Sequence, residues 1–179
     1  MILSLLEKRR SVRKFSSRPV EGEKTDKILQ AMLRSPSSRG LNPWEFVLVT
    51  EREPLEELSR AKEHGSAFLA GVPLAIVVCA DPERSDVWTE DCAIVSIMAQ
   101  LQAQAMGLGS CWVQIRQRMK GDGRTAREHV LQTLGIPSRL EVLAIIGIGY
   151  PADQMEGHPA ESLSLEKVHR ERYGRVSAD

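Results

Sequence analysis

The chain has 179 residues, enough for one domain with a sizeable core, and its 24 Lys and Arg balance 24 Asp and Glu. Zero net charge excludes a protein that captures nucleic acid or anionic membranes by bulk electrostatics, and no apolar run reaches the roughly 18–20 residues of a membrane span. The opening MILSLLEKRR sets its apolar residues before its charges, the reverse of a secretory signal, and Glu7, Glu21 and Glu23 disfavour a transit peptide.

In chain order, ILSLLEKRR suits a short amphipathic helix through Ile2, Leu3, Leu5 and Leu6 that ends near the arginines. FSSRPVEGEK is a break, and an acidic first turn announces a helix burying Ile28, Leu29, Met32 and Leu33. RSPSSRGLNP is a loop, followed by the strand WEFVLVT and a polar helix, PLEELSRAKE, opened by Pro54. LAIVVCA (Leu74 to Ala80) is a strand covered on both faces. From Trp88 to Met106 runs a long helix apolar most of the way round, closed by glycine before the strand-like GLGSCWVQI. RTAREHVLQTLGIP is a helix ending at Gly135 and Pro137, and EVLAIIGIGY is the last strand. A polar tail follows, with a short helix expected in LEKVHRERYG. About four strands and five or six helices in one domain imply a three-layer α/β or α+β arrangement, and the near-fully apolar helix implies a homodimer that buries part of it.

Metal and hydrolase chemistry find no support. His64, His129, His158 and His169 are scattered, lack partners at ligand spacing, and read as surface or loop residues. Cys79, Cys92 and Cys111 read as reduced, buried thiols in a cytoplasmic protein. No nucleophile elbow or Walker sequence is present, and GIGYPA (Gly147 to Ala152) matches a dinucleotide fingerprint only by chance, since a polar coil follows it.

Three segments remain. EKRRSVRKF concentrates Lys8, Arg9, Arg10, Arg13 and Lys14 around Ser11 where helix gives way to extended chain. Arginine forks, a hydroxyl and freed amides make a phosphate cradle; taken alone, these cations are better read as complementing a helix C-terminus in solvent. SPSSRGLNPWEF offers neutral donors and acceptors suited to a heteroaromatic ring, or an ordinary turn with Trp44 in the core. GLGSCWVQIR is an extended run able to present successive amides to a flat ligand.

In this order and at these separations, RRSVRKF, SPSSRGLNPWEF, MGLGSCWVQI, and IIGIGYPA with KVHRERYG resemble the flavin-dependent nitroreductase family, from about Leu3 to Gly174. The resemblance implies a single FMN-binding domain over residues 1–179, built as a three-layer α/β/α sandwich with a mixed central sheet. It further implies a homodimer with two FMN molecules at the subunit interface. NADH or NADPH would reduce each flavin and a nitroaromatic or quinone acceptor would reoxidise it, in ping-pong order. Arg9, Arg10, Ser11 and Arg13 would then hold the phosphate and ribityl chain, with Arg13 near the N1–C2=O edge of the ring. Pro36, Ser37, Ser38, Gly40 and Asn42 would line the ring from the other subunit. Trp112, Val113, Gln114, Ile115 and Arg116 would follow the opposite edge, with backbone groups of Val113, Gln114 and Ile115 facing N5–C4=O. No catalytic side chain, metal, nucleic acid or membrane is implied.

The sequence also departs from the family. Gly40 and Asn42 stand where many members have Asn and Gln, and Ala160 and Glu161 replace a basic pair in the tail. The arginines, with Arg116 or Arg118, would carry the phosphate instead. The chain is short for the family, without room for a large insertion over the substrate site, which would leave either an open, promiscuous acceptor pocket or a specialised function unrelated to nitro compounds. Two other readings are a nucleic-acid or anion-binding module, disfavoured by the charge balance and by Glu21, Glu23 and Asp26, and a flavin-binding protein without turnover.

Overall fold

The computed structural model describes residues 2–175. Its centre is a four-stranded sheet of β1 (Trp44–Val49), β2 (Leu74–Ala80), β3 (Gly109–Gln114) and β4 (Glu141–Gly149), in the order β1-β2-β4-β3. All three ladders are antiparallel, so the expected mixed sheet is corrected. The one parallel pairing among the described residues is the isolated bridge from Ser11 to Ser110. Wholly apolar strands such as β2 usually mark parallel sheets because helices cover both faces; here helices cover both faces of an antiparallel sheet.

Side chains alternate between the faces. Ala75, Val77, Cys79, Val113 and Ile145 pack toward α3 (Arg52–Ser59) and α5 (Ala126–Leu134). Leu74, Ile76, Val78, Ile146 and Ile148 pack toward α2 (Gly22–Leu33) and α4 (Trp88–Ala105). The three-layer expectation therefore holds.

Two helices depart from expectation. In α2, Ile28 and Met32 are fully buried, but Leu33 is 64% exposed, because a 12-residue helix against one neighbour buries an i, i+4 stripe and turns the next position outward. His129, expected at the surface, is buried in α5, with its Nε2 2.8 Å from the Glu57 carbonyl oxygen. Along α4, Cys92, Val95, Ala99 and Ala103 are fully buried, whereas Ala93 and Ile94 face outward. No described helix is long and apolar enough to cross a membrane. The tail from Pro151 is mostly exposed, and the helix expected near its end is a single 3₁₀ turn, Leu165–Lys167.

Candidate functional site

The basic segment begins as α1 (Ile2–Lys8) ends, with the Arg9 N–H donating to the Leu5 carbonyl at 2.9 Å. It then runs extended along the outer edge of β3. The Val12 N–H donates to the Ser110 carbonyl (3.0 Å), the Ala152 N–H to the Lys14 carbonyl (3.0 Å) and the Ser16 N–H to the Tyr150 carbonyl (2.9 Å). Val12 turns inward, 6% exposed, and alternation sends Ser11 and Arg13 to the other side.

The glycines ahead of β3 make this approach possible. Gly107, at φ +75°, ends α4 in the left-handed region; its N–H reaches the Gln104 carbonyl and the Leu108 N–H the Ala103 carbonyl. Gly109 then lets Val12 lie directly against the strand.

Arg9, Ser11 and Arg13 converge on Cys111, which is 1% exposed on β3. Burial pushes its thiol up, while Arg13, a hydrogen bond from Ser11, Lys62 and Arg9 pull against that rise. Arg9, Arg13 and the Lys62 ammonium have no acceptor or carboxylate partner among the described residues. The Arg118 guanidinium donates to the Gln117 carbonyl, at 3.2 Å. Burial, then the like charge of Arg118, lowers the Lys62 pKa. Asp153 in the adjoining cleft is taken by Lys14, at 3.7 Å, so Arg9, Arg13 and Lys62 keep their charge for a multiply charged anion. Arg10 differs: its guanidinium donates to the Glu156 carbonyl at 2.8 Å. It lines a cleft of about 540 Å³ with Lys8, Val12, Gln104, Tyr150 and Met155. A neighbouring cleft of about 300 Å³ is lined by Ser11, Val12, Arg13, Lys14, Asp153 and Met155.

Beyond Cys111, the outer edge of β3 is set by alternation. The Ser110 carbonyl faces outward to Val12, so Trp112 and Gln114 also present their backbone groups outward. Val113 and Ile115 are core residues, 1% and 0% exposed, and the Ile115 N–H is taken by the Leu143 carbonyl at 3.0 Å. The expectation that Val113 and Ile115 offer backbone groups to a ligand is corrected: the amides at this edge are those of Trp112 and Gln114. Their side chains are fixed in a chain, Trp112 Nε1 donating to Gln114 Oε1 (2.9 Å) and Gln114 Nε2 to the Arg116 carbonyl (3.1 Å). The Arg116 guanidinium lies 5.6 Å from the centroid of the Trp88 ring.

Pro36, Ser37, Ser38, Gly40 and Asn42 lie elsewhere, in the loop leading into β1 at the opposite edge of the sheet. Three strand spacings, about 14 Å, separate the two edges. The Ser37 hydroxyl donates to Asn42 Oδ1 (2.7 Å) and accepts from the Asn42 N–H (3.0 Å). Within one protomer, therefore, the arginines meet β3 while the serine loop stands apart. Sequence reasoning did not single out Lys62 or Asp91. Lys62 reaches the cluster only through nonlocal packing, whereas an acid in the first turn of so apolar a helix was a visible signal for Asp91.

Comparison with known proteins resolves the family. The nitroreductase family model matches residues 6–150. The chain belongs to the nitroreductase family. A solved FMN-dependent nitroreductase from Clostridium difficile R20291 superposes with a TM-score of 0.94 at 44% identity, covering 96% of this chain and 99% of that one. An Archaeoglobus fulgidus protein, provisionally described as an NADH dehydrogenase/NAD(P)H nitroreductase, is 34% identical over 179 aligned residues, covering 96% of this chain and 98% of its own length. The NADPH:FMN oxidoreductase of Vibrio harveyi, solved with NAD⁺, superposes with a TM-score of 0.80 at 25% identity, covering 98% of this chain and 79% of that one. Across these nitroreductase relatives, the matched region spans the arginine segment, the serine loop and all four strands.

Proposed function

We propose that this nitroreductase-family chain is one FMN-binding domain acting as an oxidoreductase, taking electrons from NADH or NADPH and delivering them, ping-pong fashion, to nitroaromatic, quinone or related acceptors. The observation that carries the reading is the set of unpartnered cations, Arg9, Arg13 and Lys62, gathered with Ser11 at the outer edge of β3. Their chemistry fits FMN: charged forks and a hydroxyl suit its phosphate, and the amides of Trp112 and Gln114 suit the polar edge of its ring. FMN, when bound, supplies the two-electron hydride chemistry. Arg9, Ser11 and Arg13 bind and orient it, Trp112 and Gln114 define its edge, and no side chain is required to act as base.

A homodimer completes this site. Ile94 and Ala93 on α4, and Ile2, Leu3 and Leu6 on α1, leave apolar surface outward that a second copy would cover. The serine loop, remote from the arginines of its own protomer, would then line the partner's FMN. Three buried, unpaired cysteines support a cytoplasmic location.

Purified protein is expected to be yellow, to bleach with NADH or NADPH, and to consume either in steady state with a quinone acceptor. Colourless protein that takes up no FMN overturns the reading. Flavin binding without turnover would make the protein a flavin store instead.

A further inference from the structure

The serine loop is held by a buried acid. Asp91, in the first turn of α4, is only 2% exposed. Its Oδ1 accepts from the Ser38 N–H at 2.8 Å and its Oδ2 from the Ser85 hydroxyl at 3.1 Å; Ser85 is also 2% exposed. No basic side chain is paired with it among the described residues. A buried carboxylate without a cation is costly unless what it fixes returns the free energy elsewhere. What it fixes is an unusual backbone: Arg39, Gly40 and Asn42 sit at φ +54°, +65° and +45°, a region that Gly and Asn tolerate but that Arg39 ordinarily avoids. The Ser37–Asn42 hydrogen bonds tighten the turn from inside, while Asp91 ties it to the rigid end of the central helix.

We infer that Asp91 is a positioning residue acting across the subunit interface: by clamping the Ser38 amide it holds the Ser37–Asn42 turn in the shape that lines the FMN of the other protomer. The inference rests on the dimeric FMN reading above. Asp91 touches neither FMN nor substrate, so its removal alters the partner's site while leaving the arginines beside Cys111 in its own protomer intact.

The test pairs Asp91→Ala with Arg13→Ala. Each variant alone is expected to bind FMN at least tenfold more weakly than wild type, and Asp91→Asn, which keeps an acceptor for Ser38 and a partner for Ser85, to stay within about threefold. Refolding the Ala variants together in equal amounts then separates action across the interface from action within one subunit. In a mixed dimer both lesions fall on one site and the other site is intact, so the mixture is expected to regain about a quarter of wild-type turnover. A mixture no more active than its parents overturns the inference, as does an Asp91→Ala protein with wild-type FMN affinity. If Asp91→Ala fails to fold, Asp91→Ser replaces it in the same mixture with the same two outcomes. Wild-type protein that takes up no FMN overturns the oxidoreductase reading and this inference together; FMN-loaded wild type with an unaffected Asp91→Ala overturns this inference alone.

Discussion

Gly109 and Val12 touch so closely that a Cβ on Gly109 would lie 2.7 Å from Val12 Cγ2 and 2.9 Å from its Cβ. Val12 is β-branched and pinned through its N–H to Ser110, so it cannot swing aside; Pro151, at 3.0 Å, closes the other side. Gly109→Ala must therefore push the basic segment off β3. The expected cost is about 1–3 kcal/mol of stability, accompanied by weaker FMN retention, because Arg9, Ser11 and Arg13 ride on the displaced segment. Thermal melts and FMN titration check this, and a variant unchanged in both would show that the segment is not held by this contact.

Arg9, Arg10 and Arg13 look alike in sequence but not in structure. Arg9→Ala and Arg13→Ala are each expected to weaken FMN binding by about 1.5–3 kcal/mol, the worth of a hydrogen bond to a charged group. Arg10 is committed to the Glu156 carbonyl, so Arg10→Ala is expected to loosen the tail and leave FMN affinity nearly unchanged. Equal losses in all three variants would mean that charge alone, rather than placement, governs binding.

The order and type of the main elements could be read from the sequence because each carries its own local pattern: the apolar run of β2, the glycine after α4, the acidic start of α2. What escaped was nonlocal. The sense of the sheet depends on how β4 inserts between β2 and β3, which no local pattern records. Leu33 has the same chemistry as Met32, and only the extent of the neighbouring helix decides which is covered. At the site, Arg9, Ser11 and Arg13 were legible as a motif. Which of Trp112 to Ile115 face outward was not, because that follows from a single hydrogen bond between Val12 and Ser110. Lys62 joins the cluster from a loop some fifty residues from either β3 or the arginines, a distance across which a lone lysine carries no signal.

Acid should loosen the junction between the basic segment and α2. The Tyr150 hydroxyl lies 2.7 and 2.8 Å from the two Glu21 carboxylate oxygens. Lys24 Nζ lies 2.7 Å from that hydroxyl and 3.1 Å from the Met106 carbonyl at the end of α4. The Tyr150 hydrogen bond, then the residue's own backbone amide and Arg18, lower the Glu21 carboxyl from 4.5 to about 2. A depressed pKa means that the unfolded chain binds the proton first, so this contribution is complete above pH 4.5 and is lost as the pH falls toward 2. In melts across that window wild type is expected to lose stability faster than Glu21→Gln, which has no carboxyl to titrate. Parallel pH curves for the two proteins would remove Glu21 from the acid response.

The dimer is most directly tested on α4. Its buried side, Cys92, Val95, Ala99 and Ala103, is consumed by the protomer's own sheet, so changes on the opposite side leave that core intact. Ile94 lies on the opposite side and is 36% exposed in the single chain. In the proposed dimer this surface is dry, and an arginine placed there would be a buried charge without a partner, worth several kcal/mol against association. Ile94→Arg is therefore expected to run as a monomer in sizing chromatography while keeping its secondary structure. Because each site would need one protomer's arginines and the other's serine loop, the same change is expected to abolish FMN retention and turnover together. A monomeric Ile94→Arg protein with full activity would place the whole site within one chain. A variant that stays dimeric would move the interface off this side of α4.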